Sequence, residues 1–246
     1  MESGDKNFET LVGQLASVLT LVAQGNRPVK DVGRMLQRVN DRTDFASVLD
    51  APHQAQLVPG FPPDRWVPTW EQFYRDLSGV RVNLLPALKA APEAPPEFGW
   101  PVFSVPEVGV NRTWGECRNL FPAQSHLGDD LERAVPTSDR TAANGSYLVR
   151  FRNRVEADEE YKNVSANQLA ERGGKYITLH ERLLLEQFVW WMTGGFHLDL
   201  LNVTLCAGSR DRDGNVLRAD WRVSQFRVYC YDPYRQGGHF RTRVAV

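Results

Sequence analysis

One continuous stretch, residues 178–195 (TLHERLLLEQFVWWMTGG), constrains the fold of this chain most strongly. Thr178 and Glu181 have the spacing of a capping box, in which each side chain bonds the backbone N–H of the other residue at the start of a helix. Gly194 and Gly195 supply the left-handed conformation on which helices often end. The side chains that share one broad apolar face between these signals are Leu184, Leu185, Phe188, Trp191 and Met192.

The same helix is apolar on much of its other side, where Leu179, Leu183 and Trp190 lie. Its narrow polar strip holds Arg182 and Glu186, four residues apart, which is the spacing of a helical ion pair. A helix that is apolar almost all round is buried on several sides. We therefore predict that the rest of the domain packs around residues 178–195.

The segments on either side of this helix show the two-residue alternation of strands. Residues 147–155 place Tyr147, Val149 and Phe151 on one side and a row of arginines on the other. Residues 216–222 and 226–231 form two further strands joined by a short connection. This order favours an α+β fold over regular βαβ winding. We predict a largely antiparallel sheet packed on a buried central helix, preceded by an N-terminal helical segment.

The chain divides into three regions by composition. Residues 8–23 and 29–39 carry apolar side chains at helical period, so residues 1–85 are predicted to be a helical N-terminal region. These two helices need a further partner, which is either their own chain or another one. Residues 86–101 hold five prolines and are predicted to be a linker. Residues 102–246 form the predicted α+β domain.

Charge and cysteine content limit the function classes. The 29 basic and 30 acidic residues balance, which argues against coating of nucleic acid by bulk charge but allows a local basic patch. The three cysteines form no CxxC pair and are predicted to be reduced thiols. The polar amino terminus does not look like a secretory signal, and no run of about 20 apolar residues is present. We expect a cytoplasmic protein that does not enter membranes.

Four stretches carry a resemblance to other proteins: RWVPTWEQFYRDLSG, NGSYLVRFRNRVEADEE, TLHERLLLEQF and LCAGSRDRDGNV. In this order they resemble a group of small uncharacterised bacterial proteins, over roughly residues 65–218. The resemblance implies that this part of the chain is a recurring unit. No activity, ligand or catalytic residue is known for that group, so the resemblance implies no function.

The most specific binding feature is the row Arg150, Arg152 and Arg154, spaced about 6–7 Å apart along one side of a strand. A second basic region, residues 222–246, has five arginines against one aspartate, interleaved with aromatic residues. Guanidinium groups beside aromatic rings suit single-stranded nucleic acid. The residues that we predict to bind are Arg150, Arg152, Arg154, Arg227, Tyr229, Arg241 and Arg243. The alternative is a solvated face neutralised by the acidic residues at 156–160.

Two classes of function therefore stay open. The first is a non-enzymatic interaction module that binds a nucleic acid or an acidic protein partner through these arginines. The second is an enzyme of unknown class whose scattered site includes His197, Asp199 and Arg210. No metal is expected, because His197 and Asp199 lack a third ligand and residues 211–214 lack the other oxygens of a calcium loop. No catalytic residue or cofactor is predicted.

Overall fold

A computed structural model describes residues 63–222 and 224–246 of the protein. The predicted N-terminal helices at 8–23 and 29–39 lie outside these residues. The α-helices of the described part are α1 (Trp66–Ser78), α2 (Leu85–Ala90), α3 (Val110–Leu120), α4 (Leu131–Ala134), α5 (Ala166–Glu171) and α6 (Leu179–Thr193). Its strands are β1 (Trp100–Ser104), β2 (Ala123–Ser125), β3 (Thr137–Ser138), β4 (Tyr147–Phe151), β5 (Val203–Arg210), β6 (Val216–Arg222), β7 (Gln225–Tyr231) and β8 (Phe240–Arg241).

Helix α6 is the predicted central helix, and both of its end signals are confirmed. The Glu181 N–H donates to Thr178 Oγ1 over 3.2 Å, and the Thr178 N–H donates to Glu181 Oε2 over 2.8 Å. Gly194 ends the helix with a φ of 73°. All residues from Leu179 to Val189 are buried, but Met192 is 36% exposed. The buried part of the helix is therefore shorter than the apolar sequence predicted.

The strands form two sheets, and most of their pairings are antiparallel. Strands β1 and β4 pair antiparallel as a separate two-stranded sheet. The larger sheet has the order β2-β7-β6-β5-β3, and β8 pairs with β5. Only the short strands β2 and β8 run parallel to their neighbours within the described residues.

Helix α6 lies between two parts of the hydrophobic core. Its Leu184, Leu185 and Phe188 pack in one cluster with α1, β1 and β4. Its Leu179 and Leu183 pack in a second cluster with α3 and strands β5–β7. This arrangement confirms the predicted α+β class, with a largely antiparallel sheet against a buried helix.

Two of the predicted segment boundaries need correction. Strand β4 ends at Phe151 instead of continuing to Val155, so Arg152 and Arg154 follow the strand. The proline-rich residues 86–101, predicted to be a linker, contain most of α2 and the start of β1. They place Ala87, Phe98 and Trp100 in buried positions. Helix α1, which precedes this stretch in the chain, and strand β4, which follows it, pack in the same core cluster.

None of the helices within 63–222 and 224–246 combines the length and apolar character that a bilayer span requires.

Two glycines should respond in opposite ways to replacement by alanine. A Cβ at Gly208 in β5 would lie 2.7 Å from the carbonyl oxygen of Tyr176, and Arg140 holds that oxygen with a hydrogen bond. We expect Gly208→Ala to lower the free energy of unfolding by about 1–3 kcal/mol through overpacking. A Cβ at Gly115 in α3 meets no atom within 4 Å. Gly115→Ala should therefore raise the free energy of unfolding by about 0.5–1 kcal/mol. Urea denaturation of both variants measures the difference, and equal effects would contradict the packing of β5.

Candidate functional site

The hairpin of β6 and β7 has one side in the core below α6 and an opposite, outer side that α5 and β8 cover at the end of Val216 and Tyr231. On the buried side, Leu217, Ala219, Phe226 and Val228 pack in the core cluster below α6. The intervening residues of both strands project to the opposite side, because successive side chains of a strand alternate. The residues of the outer side and of the following turn that carry charge or aromatic rings are Arg218, Asp220, Arg222, Arg227, Tyr229, Tyr231, Asp232, Tyr234 and Arg235. We call the arginines and tyrosines of this set the Arg–Tyr face.

The register of the hairpin brings unlike side chains opposite each other. Arg218 pairs with Tyr229 across the strands, and Asp220 pairs with Arg227. Asp220 is 1% exposed and accepts from both neighbouring guanidinium groups. Its Oδ1 lies 3.2 Å from Arg218 Nη1, and its Oδ2 lies 2.8 Å from Arg227 Nη2. One buried carboxylate thus orients two arginines on the same side of the sheet.

The tyrosine rings of β7 are covered by cationic side chains. The guanidinium of Arg218 lies 4.6 Å from the ring centroid of Tyr229 and 4.5 Å from that of Tyr231. Arg235 lies 4.2 Å from the Tyr231 centroid. The ring of His126, just after β2, lies 3.8 Å from the ring of Tyr229. Such contacts hold the guanidinium of Arg218 in a fixed plane between two rings and that of Arg235 in a fixed plane at the protein surface.

The Arg–Tyr face has an excess of positive charge. It holds the four arginines Arg218, Arg222, Arg227 and Arg235 against the two carboxylates of Asp220 and Asp232. Neither Arg222 nor Arg235 forms an ion pair with a residue that the structure describes. Partial burial and the positive charges of three of these arginines lower the pKa of the nearby His239 below its usual value. Burial is the largest cause of this lowering, and the positive charge of the face adds to it.

The predicted binding residues Arg227 and Tyr229 lie on this face, but Arg241 and Arg243 do not. Arg241 is buried and bonds Glu159, with its Nε 2.6 Å from Oε2, and Asn202. Arg243 is 1% exposed, and its Nη2 lies 2.8 Å from Asp199 Oδ1. Both arginines therefore hold the fold together instead of extending the basic surface.

The arginines of the predicted row, Arg150, Arg152 and Arg154, also contact groups of their own chain. Arg150 donates to the carbonyl oxygen of Pro92. Arg152 Nη1 lies 2.9 Å from Asp158 Oδ2, and Arg154 Nη1 lies 2.6 Å from Glu160 Oε2. The alternative that the acidic residues at 156–160 neutralise this row is therefore correct for Arg152 and Arg154. The reason is that β4 ends at Phe151, which lets the chain turn and bring those carboxylates back.

His197 and Asp199, the residues of the enzyme alternative, lie at opposite ends of one buried network. Asp199 is fully buried in a left-handed conformation with a φ of 54°. Its Oδ2 lies 2.8 Å from Arg182 Nη2, and Arg182 Nη1 lies 2.6 Å from Glu186 Oε2. The second oxygen of Glu186 lies 2.7 Å from His197 Nδ1. The predicted helical ion pair of Arg182 and Glu186 is thus confirmed, but it is buried.

This network is built to fix the chain after α6. The ring of His197 stacks on Trp221 at 3.4 Å, with 8° between the planes. Arg210, the third residue of the enzyme alternative, donates to the carbonyl oxygens of Ala207 and Ser209 instead. A cleft of about 520 Å³ opens beside β4, and none of these three residues lines it. The described residues therefore do not bring the three together in a pocket of the kind that enzymes use.

Of the Arg–Tyr face, only Arg227 and Tyr229 were among the residues predicted to bind. Arg218 was missed in the sequence, and the other members were noted only within the basic segment 222–246. Arg218 lies in the strand LRADWR, whose alternation is visible in the sequence. Aligning that strand with QFRVYCY as a hairpin would have placed Arg218 opposite Tyr229. Arg235 was seen only as part of a basic segment, because its contact with Tyr231 depends on the turn at residues 232–235.

We compared the chain with protein-family models, curated proteins and solved structures, and none of them matches. The resemblance of residues 65–218 to small bacterial proteins stays a prediction.

Proposed function

We propose that this protein is a non-enzymatic binding module that recognises single-stranded nucleic acid through the Arg–Tyr face. The observation that carries the proposal is that Arg218 and Arg235 lie against the rings of Tyr229 and Tyr231, while Arg218 and Arg227 share the buried carboxylate of Asp220. Guanidinium groups bind phosphate oxygens, and a guanidinium plane fixed on a ring offers its other side to a base. The predicted bacterial origin and cytoplasmic location remain part of this proposal.

Nucleic acid fits this surface better than an acidic protein partner does. A polyanionic peptide needs only unpaired positive charge, which surface arginines supply without aromatic neighbours. Here the guanidinium plane of the exposed Arg235 is held on the ring of Tyr231, which suits flat ligands such as bases. Single-stranded binding proteins combine such planes with a basic surface.

Charge reversal on the exposed part of the face tests the proposal. Arg222→Glu with Arg235→Glu should weaken the binding of a fluorescent single-stranded 20-mer by about tenfold to a hundredfold at low salt. The slope of log K against log salt should fall by roughly 0.7 for each lost phosphate contact. The matched control is Arg81→Glu, an exposed arginine between α1 and α2, which should bind as the wild type does. Fluorescence anisotropy with DNA and with RNA measures all three proteins.

Two results would overturn the proposal. The first is that neither DNA nor RNA binds the wild-type protein at low salt. The second is that poly-glutamate of matched charge displaces the oligonucleotide as effectively as unlabelled nucleic acid does, which would assign the face to an acidic protein partner.

A further inference from the structure

Arg218 is the least exposed arginine of the Arg–Tyr face, and its hydrogen bonds are incomplete. The residue is 6% exposed, because its guanidinium lies against both tyrosine rings. It donates to Asp220 through Nη1. Its Nε is buried and finds no hydrogen-bond partner among the residues that the structure describes. One buried donor of this guanidinium is therefore left without an acceptor among these residues.

Arg227 also has a donor without a hydrogen-bond acceptor among the described residues. Its Nη2 donates to the same carboxylate, and its Nε is also buried without a partner in the described part of the chain. Two guanidinium groups thus divide the single negative charge of Asp220. Burial lowers the pKa of Arg218 below its usual value, the charge of Arg227 acts in the same direction, and Asp220 opposes both. Buried donors and buried charge of this kind are stabilised when an anion supplies the missing acceptors.

We infer that Arg218 and Arg227 form a subsite for one phosphate group, with Asp220 as the fixed spacer between the two guanidinium groups. This inference deepens the proposed function and rests on it for the source of the phosphate, a nucleic acid backbone. A phosphate has several acceptor oxygens, so it can receive the Nε–Nη2 edge of one arginine and a donor of the other. The subsite contains no donor set aimed at a base edge, so it contributes no sequence preference.

Within the described part of the chain, two other arginines have a buried Nε without a partner, but their surroundings differ from those of Arg218 and Arg227. Arg150 and Arg243 also carry a buried Nε without a partner among the described residues. Arg243 has the carboxylate of Asp199 and two carbonyl oxygens around its other nitrogens. Arg150 contacts the carbonyl oxygen of Pro92 and no second guanidinium. Arg182 and Arg243 also share one carboxylate, that of Asp199, but Glu186 supplies Arg182 with a second one, so the charges there balance. At Asp220 the described residues supply no second carboxylate to either arginine.

His239 provides a local readout of phosphate binding. Its imidazole lies near Arg222, Arg218 and Arg235, whose charges and partial burial lower its pKa, while Asp220 raises it. A phosphate at the subsite adds negative charge to this group of residues. Titration of the full-length protein by NMR, with and without inorganic phosphate, should therefore show that the pKa of His239 rises towards its usual value.

The variant Arg218→Gln removes the subsite but leaves the strand and its neighbours. We expect it to lose the effect of phosphate on His239 and to bind the single-stranded 20-mer about tenfold more weakly. Arg218→Lys keeps the charge but lacks the two-donor edge, so it should recover less than half of that loss. Far-ultraviolet circular dichroism confirms that each variant is folded, and a variant that is not is replaced by Arg227→Gln, for which the same losses are expected.

Failure of the subsite and failure of the proposed function give different results. If the 20-mer binds but phosphate leaves His239 unchanged, or acts equally on Arg218→Gln, the subsite is overturned and the proposed function stands. If phosphate shifts His239 through Arg218 but no oligonucleotide binds, the subsite stands and its assignment to nucleic acid is overturned.

Discussion

Asp199→Asn lowers the free energy of unfolding by about 3–5 kcal/mol, the range for removing one partner of a buried ion pair. Asp199 is fully buried and neutralises two arginines at once, with Arg182 Nη2 and Arg243 Nη2 each 2.8 Å from its oxygens. Asparagine has nearly the same shape and tolerates the left-handed backbone at this position. The loss therefore combines the missing charge with the hydrogen bonds that one carboxylate oxygen accepts. Urea denaturation at neutral pH measures it.

The free energy of unfolding at low pH provides a second test of Asp199. Burial alone would raise the pKa of Asp199, but the charges of Arg243 and Arg182 outweigh it and lower the pKa below its usual value. A carboxyl group with a lowered pKa stabilises the fold above its unfolded pKa of about 3.9, and this contribution is lost as the pH falls further. The difference between wild type and Asp199→Asn should therefore shrink below about pH 4.

The control for this prediction is Asp213→Asn in the turn between β5 and β6. Asp213 is exposed, so its replacement should change the free energy of unfolding by less than about 0.5 kcal/mol. Equal losses from Asp199→Asn and Asp213→Asn would show that the buried network does not carry the stability that its geometry implies.

Trp70→Ala is the second replacement with a large expected effect, a loss of about 3–5 kcal/mol in the free energy of unfolding. The Trp70 ring in α1 is fully buried and stacks on Phe188 of α6 at 4.2 Å, with 3° between the planes. Phe73 and Phe103 pack against it edge to face. Because Trp70 Nε1 has no hydrogen-bond partner among the described residues, the loss comes from packing alone. Thermal and urea unfolding both measure it.

Leu85→Ala is the matched comparison for Trp70→Ala. Leu85 begins α2 and is 51% exposed, so its truncation should change stability by less than about 0.5 kcal/mol. A loss below about 1 kcal/mol for Trp70→Ala would contradict the packing of α1 on α6.

The parts of the fold that the sequence predicts are those set by local interactions. The capping box of Thr178 and Glu181 needs only residues three apart, and Gly194 ends the helix by its own conformation. The strand 216–222 follows from alternation within seven residues. The α+β class then follows from the order of these elements. All of these features depend on neighbours in the chain.

The charges within the core were not predictable in the same way. The spacing of Arg182 and Glu186 predicts their ion pair, but their burial depends on Asp199, His197 and Arg243, which lie 11 to 61 residues away. The sequence therefore shows a polar strip without showing that other chain segments cover it.

The binding residues show the same limit. Alternation along residues 147–155 suggested a row of free arginines, but the strand ends at Phe151 and the acidic run folds back onto Arg152 and Arg154. Conversely, Arg218 belongs to the Arg–Tyr face only because the hairpin register sets it opposite Tyr229. Periodicity identifies which residues share a side of a strand, and tertiary contacts decide which of them remain unpaired.

The most direct test of the account is a map of where a single-stranded oligonucleotide contacts the protein, obtained from backbone amide shifts of isotope-labelled full-length protein. We expect the largest changes on β6, β7 and the following turn, at Arg218, Arg227, Tyr229 and Arg235, with β4 unchanged. Changes centred on Arg150 and the residues after β4, or no changes at all, would contradict the assignment of binding to the Arg–Tyr face.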